Sequence, residues 1–259
     1  MAGTLVGAGG GFLLVPALLL LEPHAAPVSI TATSLLVVWA NATSGSMAYA
    51  RQRRIDYRSG LVFAAATLPG AVAGALVVGW VPRRAFDLLF GVLLVAIGGW
   101  LALRRWSEGI REPPRGRWVV VRQLRDREGN VFRYAYPFWR GIGISAAVGF
   151  LSSLLGIGGG IMHVPAMVVG LHFPVHVAAA TSHFVLAFAA GEATLVHAAR
   201  GVLGWNETLA RGGLLAAGAV PGAQAGALLA RRAPGAAIMR GLALGLILVG
   251  VRLLLLGAG

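Results

Sequence analysis

Cysteine and lysine are both absent from this 259-residue chain, and acidic residues number only nine. Without cysteine there are no disulfides, no thiol nucleophile and no thiolate metal site. The chain also lacks a His-Glu-x-x-His pair, a Gly-x-Ser-x-Gly elbow and an aspartate-rich metal motif. A membrane-embedded enzyme is therefore the weaker of the readings open to it, and no cofactor is indicated. Charged residues make up 12% of the sequence against 57% hydrophobic, a balance too poor in charge for a soluble domain. The net charge of +13 comes wholly from arginine. In a soluble domain that would suggest nucleic acid, but here the arginines lie mostly between apolar runs, so they read as topology signals and no nucleic-acid partner is expected.

What the chain does have is apolar length. Val28–Ala50, Leu61–Val81, Ala85–Leu103, Gly141–Leu171, Val175–Ala199, Leu209–Leu229 and Ala236–Leu256 each reach or approach the ~20 residues that cross a bilayer as a helix. The expectation is an all-α polytopic protein of the inner cell membrane with about seven to eight transmembrane helices. The opening segment has neither the charged start nor the cleavage pattern of a signal peptide and is expected to stay in the mature chain.

An internal repeat dominates the sequence. "VGAGGGFLLVPAL" at Val6 aligns with "LGIGGGIMHVPAM" at Leu155, "TATSLL" at Thr31 with "AATSHF" at Ala179, and "LPGAVAGAL" at Leu68 with "VPGAQAGAL" at Val220. Chance apolar similarity would not hold glycine, proline and Thr-Ser in register over both halves. The chain divides into a first repeat over 1–104, a basic extramembrane linker over 105–137 and a second repeat over 138–259. Within the linker, residues alternate apolar and polar on either side of an Asp-Arg-Glu-Gly-Asn turn, the pattern of a β-hairpin. "RQRRIDYR" at Arg51 and the arginine-free "EPHAAP" at Glu22 should face opposite sides of the membrane. Phe138–Leu171 is too long for one straight span, at about 50 Å. It is either a span followed by a re-entrant half-helix or a tight two-pass hairpin; the first favours parallel halves and the second inverted ones. The first half begins only a few residues before its glycine run, whereas the second carries an extra apolar leg. That asymmetry points to an uneven duplication or to a start assigned too far downstream.

Glycine weakens helix interiors and proline removes a donor, so a doubled Gly-x-Gly-Gly-Gly followed by proline reads as a purposeful helix break. Such backbone is tolerated at membrane depth only inside protein or against a water-filled cavity. Its use would be recognition: exposed N–H groups at Gly9, Gly10 and Gly11, and at Gly158, Gly159 and Gly160, together with the positive end of the restarting helix, suit an anion. The later "PGAVAGAL" and "PGAQAGAL" are read instead as close helix packing.

The paired "GAGGGFLLVP" and "GIGGGIMHVP", each followed by Thr-Ser, then "RRIDY" or "RGVLGW", then Pro-Gly-x-x-x-Gly, resemble the sulfite exporter TauE/SafE family over nearly the whole chain. The resemblance implies a permease for small sulfur-containing anions such as sulfite or organosulfonates. The partners expected are that anion and the lipid bilayer, with a homodimer possible. The halves are not equivalent, because His163 and His183 stand opposite Leu14 and Leu35.

Polar side chains inside the spans complete the candidate site, because they are costly there. His176, His183, Thr194 and His197 fall on one helical face, as do Ser34, Asn41 and Gly45 in the first half. Thr33 and Ser34 repeat as Thr181 and Ser182. The substrate set is therefore the six glycines with Ser34, Asn41, Thr181, Ser182 and His183. Glu192, His183 and His197 are candidates for proton coupling, and Arg240 is expected either to snorkel to the interface or to pair with Asp87. A passive anion channel would use the same lining.

Overall fold

The computed structural model describes residues 4, 9–22, 24–103, 117–204, 207–230, 232 and 234–258. Among these, α1 is Gly11–Leu21, α2 Pro27–Arg51, α3 Tyr57–Val77 and α4 Arg83–Leu103. Strands β1 Val119–Arg125 and β2 Val131–Pro137 follow, then α5 Phe138–Leu155, α6 Gly160–Pro165, α7 Val175–Ala199, α8 Glu207–Ala230 and α9 Gly235–Ala258. The expectation of a mostly helical membrane protein holds: α3 with its terminal 3₁₀ turn, α4, α5, α7 and most of α8 form five helices long and apolar enough to cross a membrane.

Polarity is inverted relative to a soluble fold. Leu214, Leu229, Leu244, Leu248 and Val92 lie exposed on α8, α9 and α4, where lipid would cover them. Thr31, Ser34, Asn41 and Ser44 are buried on α2, and Thr181, Ser182 and His183 on α7. These two helices are the innermost pair, each packed against the other and against a peripheral neighbour.

The glycines of "PGAVAGAL" are packing residues. A Cβ on Gly70 would lie 2.4 Å from the Ala146 carbonyl oxygen, and one on Gly74 2.4 Å from that of Phe150. From the other side, a Cβ on Gly149 would lie 2.4 Å from the Thr67 carbonyl oxygen, so α3 and α5 cross backbone to backbone.

Phe138–Leu171 turns back at the glycine break and returns to its starting side, as the hairpin alternative requires, but the return over Gly160–Gly170 is an 11-residue apolar leg of about 16 Å, short of a full membrane pass. α5 ends at Gly156 in left-handed conformation, the chain turns over Ile157–Gly159, and α6 runs back. Its continuation, Ala166–Gly170, is one π-helical turn after Pro165. Ser145 on α5 meets His163 on α6, and Phe173 stacks on Tyr134 at 4.4 Å and Tyr136 at 5.2 Å, just ahead of the start of α5. The return leg therefore ends on the side from which α5 set out.

That side is covered by the β-hairpin, whose strands pair antiparallel from Val119↔Pro137 to Arg125↔Val131. Its tip is tied to the end of α2 by the Arg127 N–H donating to the Gln52 carbonyl at 3.0 Å. The opposite side holds the end of α1, the start of α2 and the start of α4. There Arg83 donates to the Leu19 carbonyl at 3.0 Å and to the Ala25 carbonyl at 2.9 Å, capping α1. Arg83 also takes Asp87 at 3.0 Å, four residues along α4, in place of the Arg240 partner expected from sequence.

Candidate functional site

Both glycine runs break the chain in the same way. Gly9 and Gly10 have φ of 73° and 85°, and Gly158 and Gly159 have φ of 74° and 81°. This left-handed region costs other residues about 1–2 kcal/mol. In each run the second of these glycines is the N-cap, of α1 or of α6. Leu13 and Leu14 donate to the Gly10 carbonyl, and Met162 and His163 to that of Gly159. The N–H groups of Gly11, Phe12, Gly160 and Ile161 belong to the open first turns of these helices.

The two breaks touch. A Cβ on Gly11 would lie 2.7 Å from the Ile157 carbonyl oxygen, and Gly9 and Gly158 both pack against Val38 and Leu186. From this contact α1 runs to the face opposite the β-hairpin and α6 runs back toward it. Two helix N-termini thus start from one central point and diverge.

Ser34 holds the second break from α2, its hydroxyl donating to the Gly156 carbonyl at 2.7 Å. Beside that break is a narrow cavity of about 10 Å³, the space of a single water, bounded by Gly158, Gly159, Gly160, Ser152, His163 and Thr67 and, on its apolar side, by Val148, Val185, Leu186 and Ala189. That volume is too small for a polyatomic anion. The His163 ring is buried with Nε2 3.1 Å from Ser145 Oγ.

The remaining sequence-selected residues divide into groups. Asn41 accepts from the Thr4 hydroxyl at 2.9 Å and donates to the Ala219 carbonyl at 3.4 Å. Around Thr4 also gather Tyr49, which donates to its carbonyl at 2.8 Å, and Gly45, which faces the His183 ring. Ser182 is buried on α7. Thr194 donates back to the Ala190 carbonyl at 2.6 Å, on the same helix that carries His176, His183 and His197. His197 is fully buried near the end of α7, and Glu192 is half-buried with Oε2 making no hydrogen bond among the described residues.

Thr181 lies away from the breaks, at the hairpin face. Its hydroxyl accepts from the Asp56 N–H at 3.0 Å. Asp56 caps α3 through Ser59 and accepts from the Tyr134 hydroxyl at 2.7 Å, and Tyr136 donates to Ser59 Oγ at 2.8 Å. Burial, followed by the Asp56 charge, holds the Tyr134 phenol far above its usual range, so it stays a neutral donor. Nearby, Arg54 and Asp126 form a buried pair at 3.0 Å. Burial alone would raise Asp126, but hydrogen bonds from Asn130 and Arg54 outweigh it and hold the carboxyl below its usual range.

Sequence reasoning missed Ser152, Val38 and Leu186 as walls of the breaks. The "LSSLLG" ahead of the second run carried the one available signal, a Ser-Ser pair in an apolar leg.

Buried polar inner helices, lipid-facing outer ones and two helix breaks meeting inside the bundle define a polytopic membrane transporter. The chain belongs to the sulfite exporter TauE/SafE family, whose model matches residues 1–253. It is 33% identical over 258 residues to the probable membrane transporter protein YunE of Bacillus subtilis, covering 97% of this chain and 92% of that protein. A probable membrane transporter protein of Xylella fastidiosa is 27% identical over 247 residues, covering 95% and 87%. No solved structure matches the chain.

Proposed function

We propose that this chain is a carrier for small sulfur-containing anions, sulfite or an organosulfonate, in the inner cell membrane. Its two halves are inverted repeats, each with one glycine break. The observation that carries this reading is the contact of the two breaks, with both following helices starting there. Two sets of open N–H groups and two positive helix ends face one region, which favours negative charge without a fixed cation. Ser34 and Ser152 hold the breaks, and His163 adds an imidazole to the wall. Opening either side would widen the small cavity to anion size.

Purified protein in proteoliposomes tests this. Flux of sulfite, methanesulfonate, thiosulfate and sulfate is measured with and without unlabelled anion on the far side. Saturable flux of one sulfur anion with accelerated counterflow is expected. Flux that rises linearly with concentration and shows no counterflow would establish the passive channel instead.

A further inference from the structure

We propose a second anion site, outside the membrane, in the groove between the end of α2 and the tip of the β-hairpin, taking a ligand that carries phosphoryl groups. The groove has a volume of about 570 Å³ and is lined by Arg51, Arg53, Arg125 and Arg127. That size lies within the ~300–1,000 Å³ of small-molecule sites.

None of the four side chains makes an ion pair or hydrogen bond among the described residues. The only carboxylate in the lining, Asp126, is already taken up by Arg54 at 3.0 Å, by Asn130 and by the Glu128 N–H. Glu128, at the rim, lies 3.4 Å from Arg54. Five guanidinium groups thus stand against two carboxylates, both directed at the buried Arg54. Like charges gathered round one concavity repel, and a multivalent anion reverses that cost. Guanidinium forks match phosphoryl oxygens in pairs.

The backbone fixes this arrangement. Arg53 sits at φ 56°, a left-handed position where glycine would be easier, and the Arg127 N–H to Gln52 bond sets the hairpin tip beside it. Trp118 and Trp139, exposed and in edge contact at the base of the hairpin, mark the headgroup level. A free polyphosphate and a lipid headgroup can therefore both reach the groove.

The test uses the full chain in detergent, titrated with inorganic pyrophosphate, and in nanodiscs with or without cardiolipin. Variants are the double Arg53→Gln, Arg127→Gln and, as a control outside the groove, Arg133→Gln, which bonds Gln123 on the outer strand face. Wild type should bind pyrophosphate or cardiolipin saturably, the double variant about tenfold more weakly or worse, and the control within about twofold of wild type. Binding in detergent assigns the free anion; a response confined to cardiolipin nanodiscs assigns the headgroup. Ligand-induced thermal stabilisation in wild type but not in the double variant separates lost binding from lost folding. No binding of either probe, or an equal loss in Arg133→Gln, would overturn the site.

Discussion

At the scale of single residues, the six glycines of the breaks differ in what surrounds them. A Cβ on Gly158 would lie 2.3 Å from Val38 and 2.8 Å from Leu186, at φ 74°. Gly158→Ala should therefore cost about 2–4 kcal/mol, from strain and overpacking together, read as a fall in melting temperature. Gly143→Ala, on the exposed face of α5 with open space around it, should be neutral or slightly stabilising in the same assay. Asp126 gives a pH test. Its carboxyl is held below its unfolded value, so its stabilising contribution is complete above about pH 4 and is lost as pH falls through the folded pKa. Asp126→Asn should remove that acid-side slope and cost about 2–4 kcal/mol at neutral pH, with Glu128 left to Arg54. An unchanged acid limb in the variant would contradict the assignment. The glycines were legible because three in a row are more than packing needs. Val38 and Leu186 were not, since apolar residues on a buried helix face read like those facing lipid.

At the scale of elements, the β-hairpin was legible from its sequence alternation, which β1 keeps in its burial, while β2 buries Tyr134, Ala135 and Tyr136 in succession. What holds it was not legible: Tyr134 and Tyr136 reach Asp56 and Ser59 about 77 residues away in sequence, as their bonds record. Tyr134→Phe with Tyr136→Phe should loosen the hairpin and leave the helices intact. Hydrogen exchange across 119–137 should rise at least about tenfold while α5 stays protected, given about 1 kcal/mol for each bond. Equal exchange would mean that the tip, through Arg54 and Gln52, is sufficient on its own. The course of Phe138–Leu171 could not be read from hydropathy, because a leg that crosses and a leg that returns bury the same apolar residues. The Phe173 stack on the tyrosines is what decides it.

At the scale of the whole molecule, the duplicated sequence becomes two helices that leave one point in opposite directions. Under the carrier proposed above, repeats related that way would expose the same break to opposite faces in turn. The direction of each half depends on where the break turns the chain, and composition does not encode that. Its consequence is that damage to either break should abolish binding at the shared centre.

The most direct measurement is equilibrium binding of sulfite to the purified protein with Gly10→Ala, Gly159→Ala and wild type compared. Gly10 has open space where a Cβ would stand, so its variant keeps the packing and carries only the backbone strain of about 1–2 kcal/mol. Gly159 is tighter: a Cβ there would lie 3.0 Å from Ser152 Oγ. Loss of binding in both variants, with folding retained, is the expected result. Full-strength binding in a folded Gly10→Ala would contradict a cradle shared between the two breaks.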